Sequence, residues 1–582
     1  MTLPVRLSLQ SSPHKESVPR EREGSAIQGD VQYRPTKEIS FELEQHVQIF
    51  LEEGLLTQAF DLLLSIVGNS VSALAPLHPV TIPPRSQIAV AATLAVHPTI
   101  TSRTDSREKQ NQANAALRLL RLINTLVGPV NADFASAFSF RKFDFRFTRR
   151  SPHRSIGEEG DAGGESDSVD GENEINTPYA HSQSLWTRAE DFWQLVGWAF
   201  NCACRPGVHA ARWDHYQLLL EFLVDVLEED WHIRNAAENS SADESLLWQY
   251  IELSTGGHAR ARRILRAIFA DGSQRSLNEF REIFPNELKK PEKEHGKIKK
   301  REVDVNIYED VFGDYEAEDD LDMFEDDEDD AASAGTGASG WPRNRLRVRS
   351  RTPSSTRVTP KSSAGSLHSA YATDGENSPA SRLGGPSCLA LRLRLLRLLT
   401  YVASHPTLMS TSPTTFPDLD ELNILFVEFI RPLSLPVFAQ IVLPTPSNPL
   451  GPTSLADLCE ALLQRLLESS APSIRSHVLL SKSKLEQEYL PFAAAKDSVD
   501  ANARVSVLLE SLTRCLAQIG NLQRTRSLAR AAAIGVKKRL CCVAENKGDG
   551  KKRQGDDDLA REWLLESGER LTRVIEKSGA GE

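Results

Sequence analysis

The sequence predicts an all-α chain, an irregular array of helical hairpins interrupted by long disordered inserts. Apolar residues recur at three- and four-residue spacing, Gly and Pro punctuate those runs, and long polar stretches carry no apolar periodicity. The hairpins suggest a degenerate armadillo-like or HEAT-like stack. No fixed-period signature of the tetratricopeptide or ankyrin kind accompanies them.

Residues 1–35 mix Ser, Pro, Glu and Arg and are expected to be a disordered tail. A helical lobe follows over 36–148. Thr36 is expected to cap a helix carrying Ile39, Leu43, Val47 and Phe50, with a break at Glu53-Gly54. A second helix carries Leu56, Ala59, Phe60 and Leu63. Beyond Pro76 to Pro84, Ile88, Ala91, Ala92 and Ala95 repeat at helical spacing and Pro98 supplies the stop. A stronger helix runs from about Ser106 through Leu117, Leu120, Ile123 and Val127 to Gly128-Pro129. Phe138, Phe140, Phe143, Phe145 and Phe147 then alternate with polar residues, which predicts an extended segment laid on the helical body. The alternative is an aromatic docking peptide for a partner strand.

Residues 149–183 form an acidic, Ser- and Gly-rich linker expected to be disordered, and 184–285 a second lobe. Leu185, Ala189, Phe192, Val196 and Phe200 predict one helix. Arg205-Pro206-Gly207 turns the chain into a partner helix with Trp213, Leu220, Leu223, Leu227 and Trp231. Trp186, Trp193, Trp198 and Trp213, four of the chain's eight tryptophans, make this the expected centre of packing. Ser241-Ala242-Asp243-Glu244 has capping-box spacing ahead of Leu246, Leu247 and Ile251. Short helices over Ala259 to Phe269 and Leu277 to Phe284 complete the lobe.

Residues 286–383 have no core-forming pattern and read as a disordered, charge-segregated insert. Basic residues run from Lys289 to Arg301, acidic ones from Glu302 to Asp330, and basic ones again from Arg343 to Arg351, before a Ser/Thr/Pro-rich stretch. The third lobe, 384–545, opens on a Leu/Arg-rich helix, Cys388 to Val402, with more leucines than one face can bury. That helix should be internal. Asp418 to Arg431, Leu455 to Leu466 and Val499 to Ile519 continue the pattern. Residues 546–582 comprise a charged linker and an amphipathic helix from about Leu559 to Ile575.

Charge and motifs narrow the function. A formal charge of -12 argues against whole-surface affinity for nucleic acid. Two local basic faces could still touch phosphate: Arg260, Arg262, Arg263 and Arg266, and Arg524, Arg526, Arg530, Lys537 and Lys538. The seven cysteines are odd in number and mostly sit in helical patterns, as reduced buried thiols do. No secretory signal is read at the N-terminus, and no apolar run is long enough for a membrane span.

Cys202-Ala203-Cys204 with His209 and His215 contains zinc-type ligands, but Cys-x-Cys in a helix points its sulfurs about 200° apart. No metal or cofactor is expected. There is no phosphate loop, Gly-x-Ser-x-Gly elbow or His-Glu-x-x-His, so no catalytic residue is assigned and the chain is read as a non-enzyme.

The remaining signals are linear. Lys289, Lys290, Lys299, Lys300 and Arg301 approximate a bipartite nuclear-localisation pattern. Ser12, Ser151, Thr352, Thr359 and Ser378 each precede proline and resemble sites of proline-directed kinases. Tyr308, Phe312, Tyr315 and Phe324 stud the acid block, a composition suited to docking on basic proteins such as histones. The expectation is a nuclear scaffold or adaptor for protein partners, in contact with chromatin. A cytoplasmic, trafficking-type platform with the insert as a tether is the alternative.

Overall fold

The computed structural model describes residues 33–71, 78–140, 175–236, 242–290, 383–412, 414–470, 480–545 and 554–578. Thr36 caps no helix. Thr36–Glu38 is a short strand, β1, and Ser40 occupies the N-cap of α1 (Phe41–Glu52). Gly54, at φ 72°, turns the chain into α2 (Leu56–Val71), where Ala59, Phe60, Leu63 and Val67 are buried. Beyond it, β2 (Val80–Ile82) runs parallel to β1 with Thr36 opposite Val80.

Nearly every residue of α3 (Arg85–Val96) is buried, and α4 (Arg107–Asn131) packs beside it. Gly128-Pro129 breaks α4 without ending it, because Gly128 at φ 74° lets one more turn follow. The Tyr33 ring lies 2.8 Å from where a Cβ at Gly128 would sit. The single turn α5 (Phe134–Ala137) leads into the expected extended segment, of which only Phe138 to Phe140 are described. Its C-cap, Phe138, stacks on Phe134 and Trp186, while Phe140 meets Trp186 and Tyr250 edge-on. Both rings join one aromatic cluster on the helical body. Phe143, Phe145 and Phe147 lie outside the described residues.

The helix expected from Leu185 to Phe200 is two, α6 (Leu185–Arg188) and α7 (Phe192–Ala203). Asp191 makes the break by capping α7: its carboxylate accepts from the Gln194 amide at 2.8 Å and from Arg263 at 2.5 Å. Gly207, at φ 75°, leads into α8 (Val208–Ala236). The cap of α9 (Leu246–Glu252) is Ser245, whose Oγ accepts from the Trp248 amide; Ala242–Glu244 before it forms a 3-10 turn, and Ser241 of the expected box lies outside the described residues. After α10 (Arg260–Ile268), α11 (Gln274–Glu279) ends at Phe280. The expected helix to Phe284 does not form, since the Ile283 and Phe284 amides donate to the Glu287 side chain.

The chain resumes with α12 (Pro386–Ala403), α13 (Pro406–Thr411), α14 (Leu419–Ile430), α15 (Leu435–Val442) and α16 (Pro452–Leu467). Then come α17 (Lys482–Lys484), continuing into a π turn at Leu485–Tyr489, α18 (Val499–Gln518), α19 (Arg526–Glu545) and α20 (Gln554–Lys577). The fold is therefore all-α, with one minor parallel ladder. Its backbone of packing is a row: α2, α4, α8, α12, α14, α16, α18 and α20 each lie against the next.

As expected from its leucines, α12 is mostly internal. Its place in the row is fixed by charge as well, because Arg394 reaches Asp225 and Glu228 of α8 at 2.6 and 2.7 Å. The described residues on both sides of the 291–382 stretch accordingly belong to one compact unit.

Close packing makes one glycine sensitive. The Phe280 ring sits against Gly197 in the middle of α7, where a Cβ would overlap it. Gly197→Ala is expected to lower stability by about 1–3 kcal/mol, because overpacking against a rigid ring outweighs the gain in helix propensity. Thermal unfolding measures the loss, and adding Phe280→Leu should recover part of it.

Candidate functional site

Of the linear signals, Lys289 and Lys290 are exposed at the end of a described segment. Lys299, Lys300 and Arg301, the acid-block aromatics Tyr308, Phe312, Tyr315 and Phe324, and Ser12, Ser151, Thr352, Thr359 and Ser378 lie outside the described residues.

The cysteine and histidine group does not converge on one point. Cys202 and Cys204 are buried near the end of α7, and Cys204 donates to the Ala270 carbonyl. Burial pushes the Cys202 thiol up and that of Cys204 to about 11, so both stay protonated and unreactive at neutral pH. Burial, followed by the Arg212 charge, lowers His215 to about 4. No cluster of three or more potential metal ligands occurs among the described residues.

A buried charge cluster that the sequence reading missed lies just before Lys289. Glu287 and Arg212, both fully buried, pair at 2.7 Å. Glu287 also accepts from Tyr216 Oη at 2.7 Å, Trp198 Nε1 at 3.1 Å and the amides of Ile283 and Phe284. Arg212 gives its other hydrogens to Thr101 Oγ1, Ser102 Oγ and the Val96 carbonyl. The pair thus clasps the loop after α3, helix α8 and residues 283–287 together. A carboxylate taking this many donors has no lone pair left for substrate, so the cluster acts in positioning. Nothing in the string Phe-Pro-Asn-Glu signals it.

Beside the clasp opens a groove of about 590 Å3, lined among others by Arg188, Trp198, His209, Arg281, Phe284 and Leu288. Trp198 is the partition: its indole forms part of the wall and its N–H holds Glu287 behind it.

The two basic faces separate sharply. On α10, Arg260 donates to the Ser254 and Thr415 carbonyls, Arg262 pairs with Glu428, Arg263 with Asp191, and Arg266 with Glu279. That face is internal cross-linking. On the α19 side, Arg524, Arg526, Arg530, Lys537 and Lys538 are all exposed, and none forms an ion pair with a described acid. Of the two basic faces, the α19 surface is therefore the one whose charge is not spent on the fold.

No family model, curated protein or solved structure matches this chain. Its class rests on its own architecture, an all-α row of helices with buried charge used as fasteners and, on α19, a cationic face with no described acid paired to it.

Proposed function

We propose that the chain is a nuclear, non-enzymatic scaffold that holds protein partners through its helical body and its charged, phosphorylatable insert. The observation that carries this reading is that both flanks of the 291–382 stretch are fastened to the same body. On one side Glu287 locks residues 283–287 onto α8. On the other, Gly384 lies against Ala203 and Cys388, and Arg392 caps the Ile268 and Ala270 carbonyls while stacking on Phe200 at 4.1 Å. A segment with basic, acidic and Ser/Thr-Pro blocks, anchored at both ends, suits presentation to partners more than tethering of independent domains. Commitment of the buried carboxylate to structural donors supports the non-enzymatic part of the reading.

Localisation and capture test the proposal together. The tagged full chain is expected in the nucleus, and alanine at Lys289, Lys290, Lys299, Lys300 and Arg301 should shift it to the cytoplasm. Affinity purification should lose its specific partners when residues 302–330 are deleted. A chain that stays cytoplasmic with the basic residues intact, or whose partners ignore the deletion, contradicts the proposal.

A further inference from the structure

We propose that the outward face of α19 binds the phosphate backbone of nucleic acid without sequence preference. The proposal does not depend on the import signal.

From Asn521 to Ala544 the chain has no acidic residue and six cations, Arg524, Arg526, Arg530, Lys537, Lys538 and Arg539. One side of α19 is spent on the fold. Leu528, Ala532 and Arg539 are buried, Gly535 lies directly on the Leu490 carbonyl, and Arg539 Nη1 donates to the carbonyls of Leu490 and Phe492. The opposite side carries Arg526, Arg530, Ile534 and Lys537 at helical spacing, a stripe about 16 Å long at 1.5 Å per residue. Lys538, beside it, leans on the Phe492 ring at 5.6 Å.

Three features favour phosphate as the occupant. First, the arginines of the other basic face, on α10, are paired with acids or carbonyls, whereas five cations of one 15-residue stretch here face water without a described acid. Second, Arg524 and Arg526 stand at the positive end of the helix dipole, an arrangement unfavourable for folding that raises local attraction for anions. Third, Arg539 is buried without a carboxylate, with Nε and Nη2 lacking any partner, so its charge adds to the field unneutralised.

The class of partner follows from what the stripe lacks. Ile534, half exposed, is its one large apolar side chain, so it offers neither a face for lipid nor the aromatic anchors on which protein interfaces centre. Backbone phosphates need neither. Arginine forks match their oxygens, and counterion release supplies the affinity.

Fluorescence anisotropy on the full chain, with labelled single-stranded and duplex oligonucleotides between 50 and 200 mM salt, tests the proposal. Neutralising about five phosphates predicts log K falling against log salt with a slope of about -3 to -5. Arg526→Gln/Arg530→Gln/Lys537→Gln, all at exposed positions, should leave the melting temperature unchanged, weaken binding at least about tenfold and flatten the slope by about 2 to 3. Arg262→Gln on α10 should bind as the parent does. Three outcomes overturn the proposal: no oligonucleotide binding at 50 mM salt, equal binding by the triple variant, or tighter binding of labelled polyglutamate than of either oligonucleotide.

Discussion

Arg212→Met is expected to cost about 3–5 kcal/mol of stability, the range seen when one member of a buried ion pair is removed. The substitution leaves Glu287 charged, fully buried and reliant on Tyr216, Trp198 and two amides. It also frees the Val96 carbonyl and Thr101, which Arg212 holds at 2.7 and 2.8 Å. Glu287→Gln should be destabilising too, since it strands the guanidinium. The double variant, Arg212→Met with Glu287→Gln, should cost less than the sum of the singles, because each single mutant pays for an orphaned charge that the double does not contain. Urea unfolding of the four proteins measures this, and strict additivity would refute the clasp. Arg539 supplies the contrast: with no carboxylate partner, Arg539→Met strands no anion and should cost much less than Arg212→Met.

Acid should unfold the protein through His97. The ring is buried between Tyr179 and Phe284, and its Nδ1 bonds Thr99 Oγ1. Burial first, then the charges of Arg212 and Arg103, lower it from 6.5 to about 3. The unfolded chain therefore takes up a proton near pH 6.5 that the folded chain refuses until about pH 3. Stability is fully present above pH 6.5 and falls as the pH drops, by about 2 kcal/mol at pH 5 and about 4–5 kcal/mol at pH 3. His215, lowered to about 4, adds a decline of the same sign. His97→Phe should lose some stability at pH 7 yet remove His97's share of the slope between pH 6.5 and 4.5. Unfolding free energies at pH 7 and 5 decide the matter; an unchanged difference between the two pH values in the variant would exclude His97 as the acid-sensitive group.

Much of the helix order was legible because period and punctuation act locally. Val47, Phe60, Leu120, Leu227 and Leu512 fall on the faces their spacing assigns, and the leucine excess of α12 gave away its burial. Several departures share one cause, local signals overruled by distant partners. Asp191 splits an apparently continuous helix because it caps α7 and meets Arg263, 72 residues away. The Ile283 and Phe284 amides leave helix geometry for Glu287, itself held by Arg212, 75 residues away. Thr36 joins a strand 44 residues on. α15 has a local reason instead: Pro436 reads as a breaker in sequence, yet proline is tolerated in a helix's first turn.

The same distinction governs the candidate site. Composition marks α10 and α19 alike as basic, and only the fold tells them apart. Arg262 finds Glu428 166 residues further along the chain, whereas the acid-free stretch around α19 finds no such partner among the described acids. Arg212 and Glu287, 75 residues apart, carry no local pattern that would reveal them.

The central claim is that residues on the two sides of the 291–382 stretch build one helical platform. Scanning calorimetry of the full chain tests it most directly. The shared core of α8 with α12 and of α10 with α14 predicts one cooperative transition, displaced as a whole by Arg212→Met, with the calorimetric and van't Hoff enthalpies in agreement. Two separable transitions, only one of them moved by Arg212→Met, would contradict it.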